Sequence, residues 1–348
     1  MIRRLAVAAV ALTCGLSLAG CADDGGAAPA KEGFVGSTEL KSGKVGILNI
    51  LASSETLSRW QDTATKALDA VGWESVVTDG KGDPSVISQA ISSFVQQRVD
   101  GIIILGGTQV GPLTPQLQAA DAADIPVIAA GIKSPDPEGL LDAQYEPDGS
   151  EYGVLLAEYI KKKFEAGTEW VALTITADEG GNAPNAAAQP ILEEAGLPRV
   201  GTVDLNLTKD LPSQISKGSA DLLRAHPKAK VLMSCCDFTA AFSVPALKEA
   251  GYDDVIHALR YDNLSILDMI RKGDPVVTAG SNSDTSILLA IDQLLAHKAT
   301  DAEIDVDAQD GKDEFAVIDA DNVPADGFYF DPDEQINEFL TTWKAEYK

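Results

Sequence analysis

The chain has 348 residues, 45% hydrophobic and 23% charged, which is the balance of an ordinary folded protein long enough for two hydrophobic cores. Its formal charge of −26 excludes nucleic acid and anionic lipid surfaces as partners of the folded exterior, which reads as solvated and acidic. His226, His257 and His297 are the only histidines and stand in no HExxH pattern, and there is no CxxC pair, so neither a catalytic zinc site nor any cofactor is expected.

Arg3 and Arg4 precede an apolar core from Leu5 to Leu12, extended through Leu16 and Leu18, and small residues follow. This is the pattern of a secretory signal over residues 1 to 20. The core is shorter than the ~20 residues a membrane span needs. Leu18, Ala19, Gly20 and Cys21 resemble the lipobox of bacterial lipoproteins, in which the cysteine is acylated and becomes the new N-terminus. The resemblance implies lipidation of Cys21 and a protein tethered to the cell membrane on its extracytoplasmic face. Loss of Arg3 and Arg4 with the signal takes the charge from −26 to −28. Residues 21 to 43, rich in Asp, Gly, Ala, Pro, Lys and Ser, read as a flexible linker.

Lys44 to Leu51 predicts a first strand, and Leu57, Trp60, Ala64, Leu68 and Val71 predict the face of a first helix. From Trp73 to Gly107 the chain carries a complete β-α-β unit. Val76 and Val77 end a short apolar run, and Asp83 then Pro84 cap and start a helix. Val86, Ile87, Ala90, Ile91, Phe94 and Val95 recur at helical spacing, and Ile102 to Leu105 is the β-branched run of a parallel strand covered on both faces. The spacing, with Gly82-Asp83-Pro84 before the helix and Val99-Asp100-Gly101 before the strand, resembles the type I, ribose-binding-like solute-binding proteins of bacterial ABC sugar importers.

A helix from Pro112 to Ala123 and a strand from Ile125 to Ala130 continue the alternation, and 140 to 145 reads as a strand leading out. A second series begins near Asp148 with a helix through Tyr152, Leu156 and Ile160. Strands follow at 171 to 175, 200 to 205, 231 to 234, 255 to 259 and 276 to 279, with helices near 185 to 195, 211 to 225 and 238 to 250. An apolar helix through Leu288 and Leu295, a strand at 315 to 318 and a helix at 336 to 343 close the chain. The fold class is α/β, two doubly wound parallel-sheet lobes. Periodicity leaves open whether the lobes are consecutive. The resemblance implies that they exchange the chain at a hinge with three crossings, near Tyr145, near 281 to 283 and near 318 to 321. It divides the chain into residues 44 to 145 plus 283 to 317 and residues 146 to 282 plus 318 to 348.

Ligands of open α/β sheets collect outside the carboxyl ends of the strands, so binding residues are sought in strand-to-helix loops. Those loops carry Ser54, Glu55 and Thr56; Lys133; Asn182 and Asn185; Asp237 and Phe238; Tyr261, Asp262 and Asn263; and Ser281, Asn282 and Asp284. Carboxylates and amides suit adjacent hydroxyls, and flat rings suit the C–H faces of a polyhydroxylated ligand. Asp237 matches the family's Asp in the pattern NDxxA only in part, since Cys236 stands where the Asn would be. The first loop lacks the Asn and Phe residues usual in sugar-binding relatives, and Gly131, Ile132 and Lys133 replace their Asp-Arg pair. Cys235 and Cys236 are expected as two buried thiols. The acidic turn around Asp305 and Asp307 does not fit an EF-hand and reads as surface.

No P-loop, GxGxxG or GxSxG pattern is present, so no enzymatic activity is expected. The resemblance implies a monomer that captures a small polar ligand, a sugar or polyol, and delivers it to an ABC permease. A receptor that presents its closed form to a membrane sensor is the other reading.

Overall fold

The computed structural model describes residues 33–176, 179–206 and 209–348. The expected signal over residues 1 to 20 and the expected acylation site Cys21 lie outside the described residues. Strands β1 (Lys44–Asn49), β2 (Glu74–Asp79), β3 (Gly101–Leu105), β4 (Val127–Ala130) and β5 (Ala143–Tyr145) form a parallel sheet in the order β2-β1-β3-β4-β5. Helix α1 (Glu55–Ala70) follows β1 and buries Trp60, Ala64 and Leu68. Helix α2 (Pro84–Gln97) starts where Asp83 accepts from the Ser85 N–H with Pro84 in the first turn, and it buries Ile87, Ile91 and Phe94. Helix α3 (Thr114–Asp121) completes the first series.

The second sheet contains β6 (Glu169–Thr174), β7 (Arg199–Asp204), β8 (Ala229–Ser234), β9 (Ile256–Arg260), β10 (Val276–Ser281) and β11 (Phe315–Ile318). Their order is β11-β10-β9-β8-β6-β7. The chain around this sheet forms α4 (Gly149–Lys163), α5 (Glu179–Glu194), α6 (Leu211–Ala225), α7 (Ala240–Glu249) and α8 (Leu264–Arg271). Two later helices, α9 (Asp284–Thr300) and α10 (Pro332–Glu346), pack on each other and on α1. Both sheets reverse strand order beside their first strand, β1 against β3 and β6 against β8, the place where such sheets open a crevice. One apolar cluster continues from Trp60 and Tyr145 through Tyr152 and Tyr261 to Trp170 and Val231, so the two units share a core at the hinge.

The architecture corrects the expected boundaries at both ends. Residues 315 to 317, assigned from sequence to the first lobe, belong to β11, which pairs antiparallel with β10 at the edge of the second sheet. An exposed edge accepts an antiparallel strand without a crossover helix. Helix α10, assigned to the second lobe, sits on the first. Trp343 Nε1 donates to Asp292 of α9 at 2.7 Å, and Thr285 Oγ1 of α9 donates to Gln335 at 3.1 Å. The chain therefore crosses between the units four times and not three, over 146–148, 282–283, 301–314 and 319–331. Nor is 34–43 a free linker. The backbone N–H groups of Val35, Gly36 and Thr38 donate to Lys344, Tyr347 and Glu346, and Phe34 and Leu40 are buried. Low hydrophobicity hid this, because the segment is held mainly by backbone bonds to the last turn of α10 and beyond.

Candidate functional site between the two sheets

A cavity of about 710 Å³ opens at the carboxyl ends of both sheets. This lies within the volume range of small-molecule sites. The first sheet contributes the loop after β4, including Lys133 and Ser134, and Glu146 just after β5. From the second come Tyr152 of α4 and Arg260 and Tyr261 at the end of β9. The acidic turn is exposed, as its sequence reading has it, and borders one side of the cavity with Asp310 and Asp313. Gly131 begins the β4 loop at φ +90°, and a Cβ there would lie 2.3 Å from the Trp60 ring. Only glycine lets the loop pass that ring.

The walls are aromatic and charged. Tyr152, buried, shares a hydrogen bond with Ser281 at 2.6 Å and meets the Tyr261 ring edge-on at 5.5 Å. Tyr261 has φ +76°, a left-handed conformation that costs free energy for an aromatic residue and is tolerated where surroundings hold it. Burial raises the Glu146 carboxyl above its usual range, and Lys133, 3.8 Å away, partly offsets this. Arg260 is 4% exposed; its Nη1 donates to the Gly180 carbonyl at 3.2 Å, and its guanidinium lies 4.8 Å from the centre of the Tyr261 ring.

Beside the cavity, the start of α1 is tied to the second unit. Thr56 Oγ1 donates to Asp237 at 2.9 Å and accepts from Asn263 at 2.8 Å, and Asn263 also donates to Asp237. Glu55 accepts from the Ser265 N–H at 3.1 Å and from its hydroxyl. Deeper, Arg59 bridges Asp262 after β9 at 3.0 Å and Asp284 of α9 at 2.6 Å, and donates to the Phe330 carbonyl at 2.9 Å. Burial opposes the Arg59 charge, and the two carboxylates outweigh it, so its pKa is raised further. Burial likewise raises Asp237 and Asp262, offset in part by Thr56 and by Arg59 respectively.

Of the fourteen loop residues expected at the site, Lys133 and Tyr261 line the cavity. Ser54 caps α1, accepting from the Leu57 N–H at 3.4 Å. Glu55 holds Ser265, Thr56 holds Asp237 and Arg59 holds Asp262, all across the units, while Asp284 holds Arg59 within the first, so these side chains are engaged by protein. Asn185 fixes α5 to β6 through the Leu173 carbonyl at 2.8 Å, and Phe238 packs on the apolar cluster of the second sheet. Asn282 clasps the acidic turn, donating to Lys312 and accepting from Glu314, both at 2.9 Å. Asn182 opens on a smaller cavity near Ser150 and Thr176. Cys235 and Cys236 are both buried free thiols. Sequence reasoning missed Arg59, Glu146, Tyr152 and Arg260. A signal existed for two of them: Arg59 interrupts the apolar face of α1 and Arg260 ends a strand that is apolar apart from His257, both poor sites for an unneeded charge.

Two doubly wound sheets facing each other across a cavity define a two-lobed binding protein. The chain belongs to the periplasmic binding protein domain family, whose model matches residues 45–301. The family consists of solute-binding proteins and not enzymes. No curated protein matches the chain by sequence. Among solved structures, an ABC transporter solute-binding protein from Bacillus halodurans C-125 with bound myo-inositol is similar at TM-score 0.64 and 19% identity, covering 83% of this chain and 98% of that one. One from Actinobacillus succinogenes 130z with bound D-allose gives TM-score 0.71 and 16% identity over 80% and 98% of the two chains. A periplasmic ribose ABC transporter protein from Conexibacter woesei DSM 14684 gives 0.69 and 19% over 83% and 95%.

Proposed function

We propose that this protein is the lipid-anchored, extracytoplasmic solute-binding component of an ABC importer. It takes a small polyhydroxylated ligand, a sugar or polyol, into the cavity between its lobes and delivers it to the membrane permease. The observation that carries this reading is the cavity itself, walled from both units at the carboxyl ends of their strands, with two tyrosine rings beside carboxylates, a lysine and an arginine. Rings cover the C–H faces of a sugar while the charged groups bond its hydroxyls. The bound myo-inositol and D-allose of the structural neighbours support the same ligand class.

Within this reading Lys133, Glu146, Arg260 and Tyr261 contact ligand, and Tyr152 backs them. The first lobe comprises 44–145 with α9 and α10, and the second comprises 146–281 with β11. Ligand touching both lobes favours the closed arrangement by its differential affinity for it. The chain acts as a monomer, and the acyl group on Cys21 keeps it at the membrane. Calorimetry on the purified protein against sugars, polyols and nucleosides, with mass spectrometry of any co-purified molecule, tests the binding role. A silent panel with no co-purified ligand counts against it. Cys21→Ala should move the protein from the membrane to the soluble fraction, and persistence at the membrane would refute the anchor.

A further inference from the structure

Arg260 has a property that a neutral ligand leaves uncompensated. Its side chain is buried at the cavity wall, its Nε has no hydrogen-bond partner, and no carboxylate lies within ion-pair distance of it among the described side chains. A buried, unpaired charge costs several kcal/mol unless something supplies the counter-charge. The other buried arginine, Arg59, is by contrast held by two carboxylates. The groups acting on Arg260 are the hydroxyls and thiols of Tyr152, Tyr261, Cys235 and Cys236 and, beyond ion-pair distance, the Asp237 carboxyl, which Thr56 and Asn263 already hold. One nitrogen, Nη1, is committed to Gly180. Nε is buried behind the cavity surface, so Nη2, which makes no hydrogen bond either, is left as the donor that a ligand carboxylate can reach in a charge-assisted bond.

Resting on the proposed binding role, we infer that the ligand is a polyhydroxy acid, a sugar acid whose carboxylate pairs with Nη2 of Arg260. Its hydroxyls then meet the acceptors that line the rest of the cavity, Asp136, Glu146, Asp148, Asp310 and Asp313. Those five carboxylates also select the charge state. A monoanion can be accommodated at the arginine, whereas a dianionic phosphate group is repelled more strongly by them.

The test is calorimetric titration of the purified protein with D-galacturonate, methyl D-galacturonate ester and D-galactose, and with D-gluconate and D-glucose, followed by the same series on Arg260→Gln and Arg260→Lys. At least one acid should bind ten- to a hundredfold tighter than its neutral counterpart. Arg260→Gln should erase that preference while keeping residual affinity for the neutral sugar, and Arg260→Lys should fall between, since it keeps the charge on a differently shaped side chain. If the buried substitution prevents folding, the ester and acid on the parent protein measure the same interaction from the ligand side. A neutral sugar bound as tightly as its acid overturns the inference and leaves the binding role intact. Binding of neither acids nor neutral sugars overturns both.

Discussion

Replacing Arg59 by Met tests the account of how the lobes are held. Arg59 shares its charge with Asp262 and Asp284, both buried, at 3.0 and 2.6 Å. The substitution keeps much of the side-chain volume against Phe328, whose ring centre lies 4.3 Å from the guanidinium, and strands two buried carboxylates. Breaking a buried ion pair from one side costs about 3–5 kcal/mol. At about 2 °C per kcal/mol for a chain this large, the melting temperature at pH 7.5 should fall by roughly 6–10 °C. The loss should shrink in acid, and the sign follows from Asp262. Burial already raises its folded-state pKa above the unfolded value, with Arg59 opposing. Without Arg59 the folded form holds its proton to still higher pH, so stability drops as pH rises through the carboxylate range and recovers below it. Scanning calorimetry from pH 4.5 to 7.5 on Arg59→Met and on Arg59→Met with Asp262→Asn reads this directly, and the double substitution should regain part of the loss. A single substitution melting within a degree of the parent at all pH values would refute the claim that this network carries stability.

Other outcomes follow from the same geometry. Asp237→Asn should flatten the pH dependence of melting, because burial raises Asp237 and its charged form therefore costs stability as pH rises past the usual carboxylate range; an unchanged profile counts against its being ionised in the interior. His257 is depressed to about 3 by burial, so the unfolded chain takes up a proton first and stability falls as pH drops below 6.5. His257→Asn should remove an acid-side slope worth on the order of 5 kcal/mol by pH 3, read as melting temperature against pH. Trp343→Ala, emptying a fully buried site where α10 meets α9, should cost about 3–5 kcal/mol by urea denaturation and loosen 34–40 in hydrogen exchange. Full protection of 34–40 in that variant would show that the N-terminal segment is held by other means.

The sequence by itself determined the repeating units. Asp83-Pro84, the apolar spacing through Phe94 and the run Ile102 to Leu105 are local signals, because capping, helical periodicity and burial on both strand faces are decided within a few residues. Loops at strand ends could likewise be picked out as the region of a site. Tertiary structure alone decided which loop residues face the cavity. Thr56, Asp237 and Asn263 are 181 and 26 residues apart in successive separations yet satisfy one another, so groups well suited to a ligand are consumed by the protein. Arg59 and Arg260 look equivalent as isolated arginines in apolar surroundings, and only the fold gives one of them two carboxylates and the other a place in a cavity wall without an ion-pair partner. The edge strand β11 and the docking of α10 escaped for the same reason. Pairing across 30 or more residues depends on which edges and faces remain uncovered once the sheets have formed, and no local spacing encodes that.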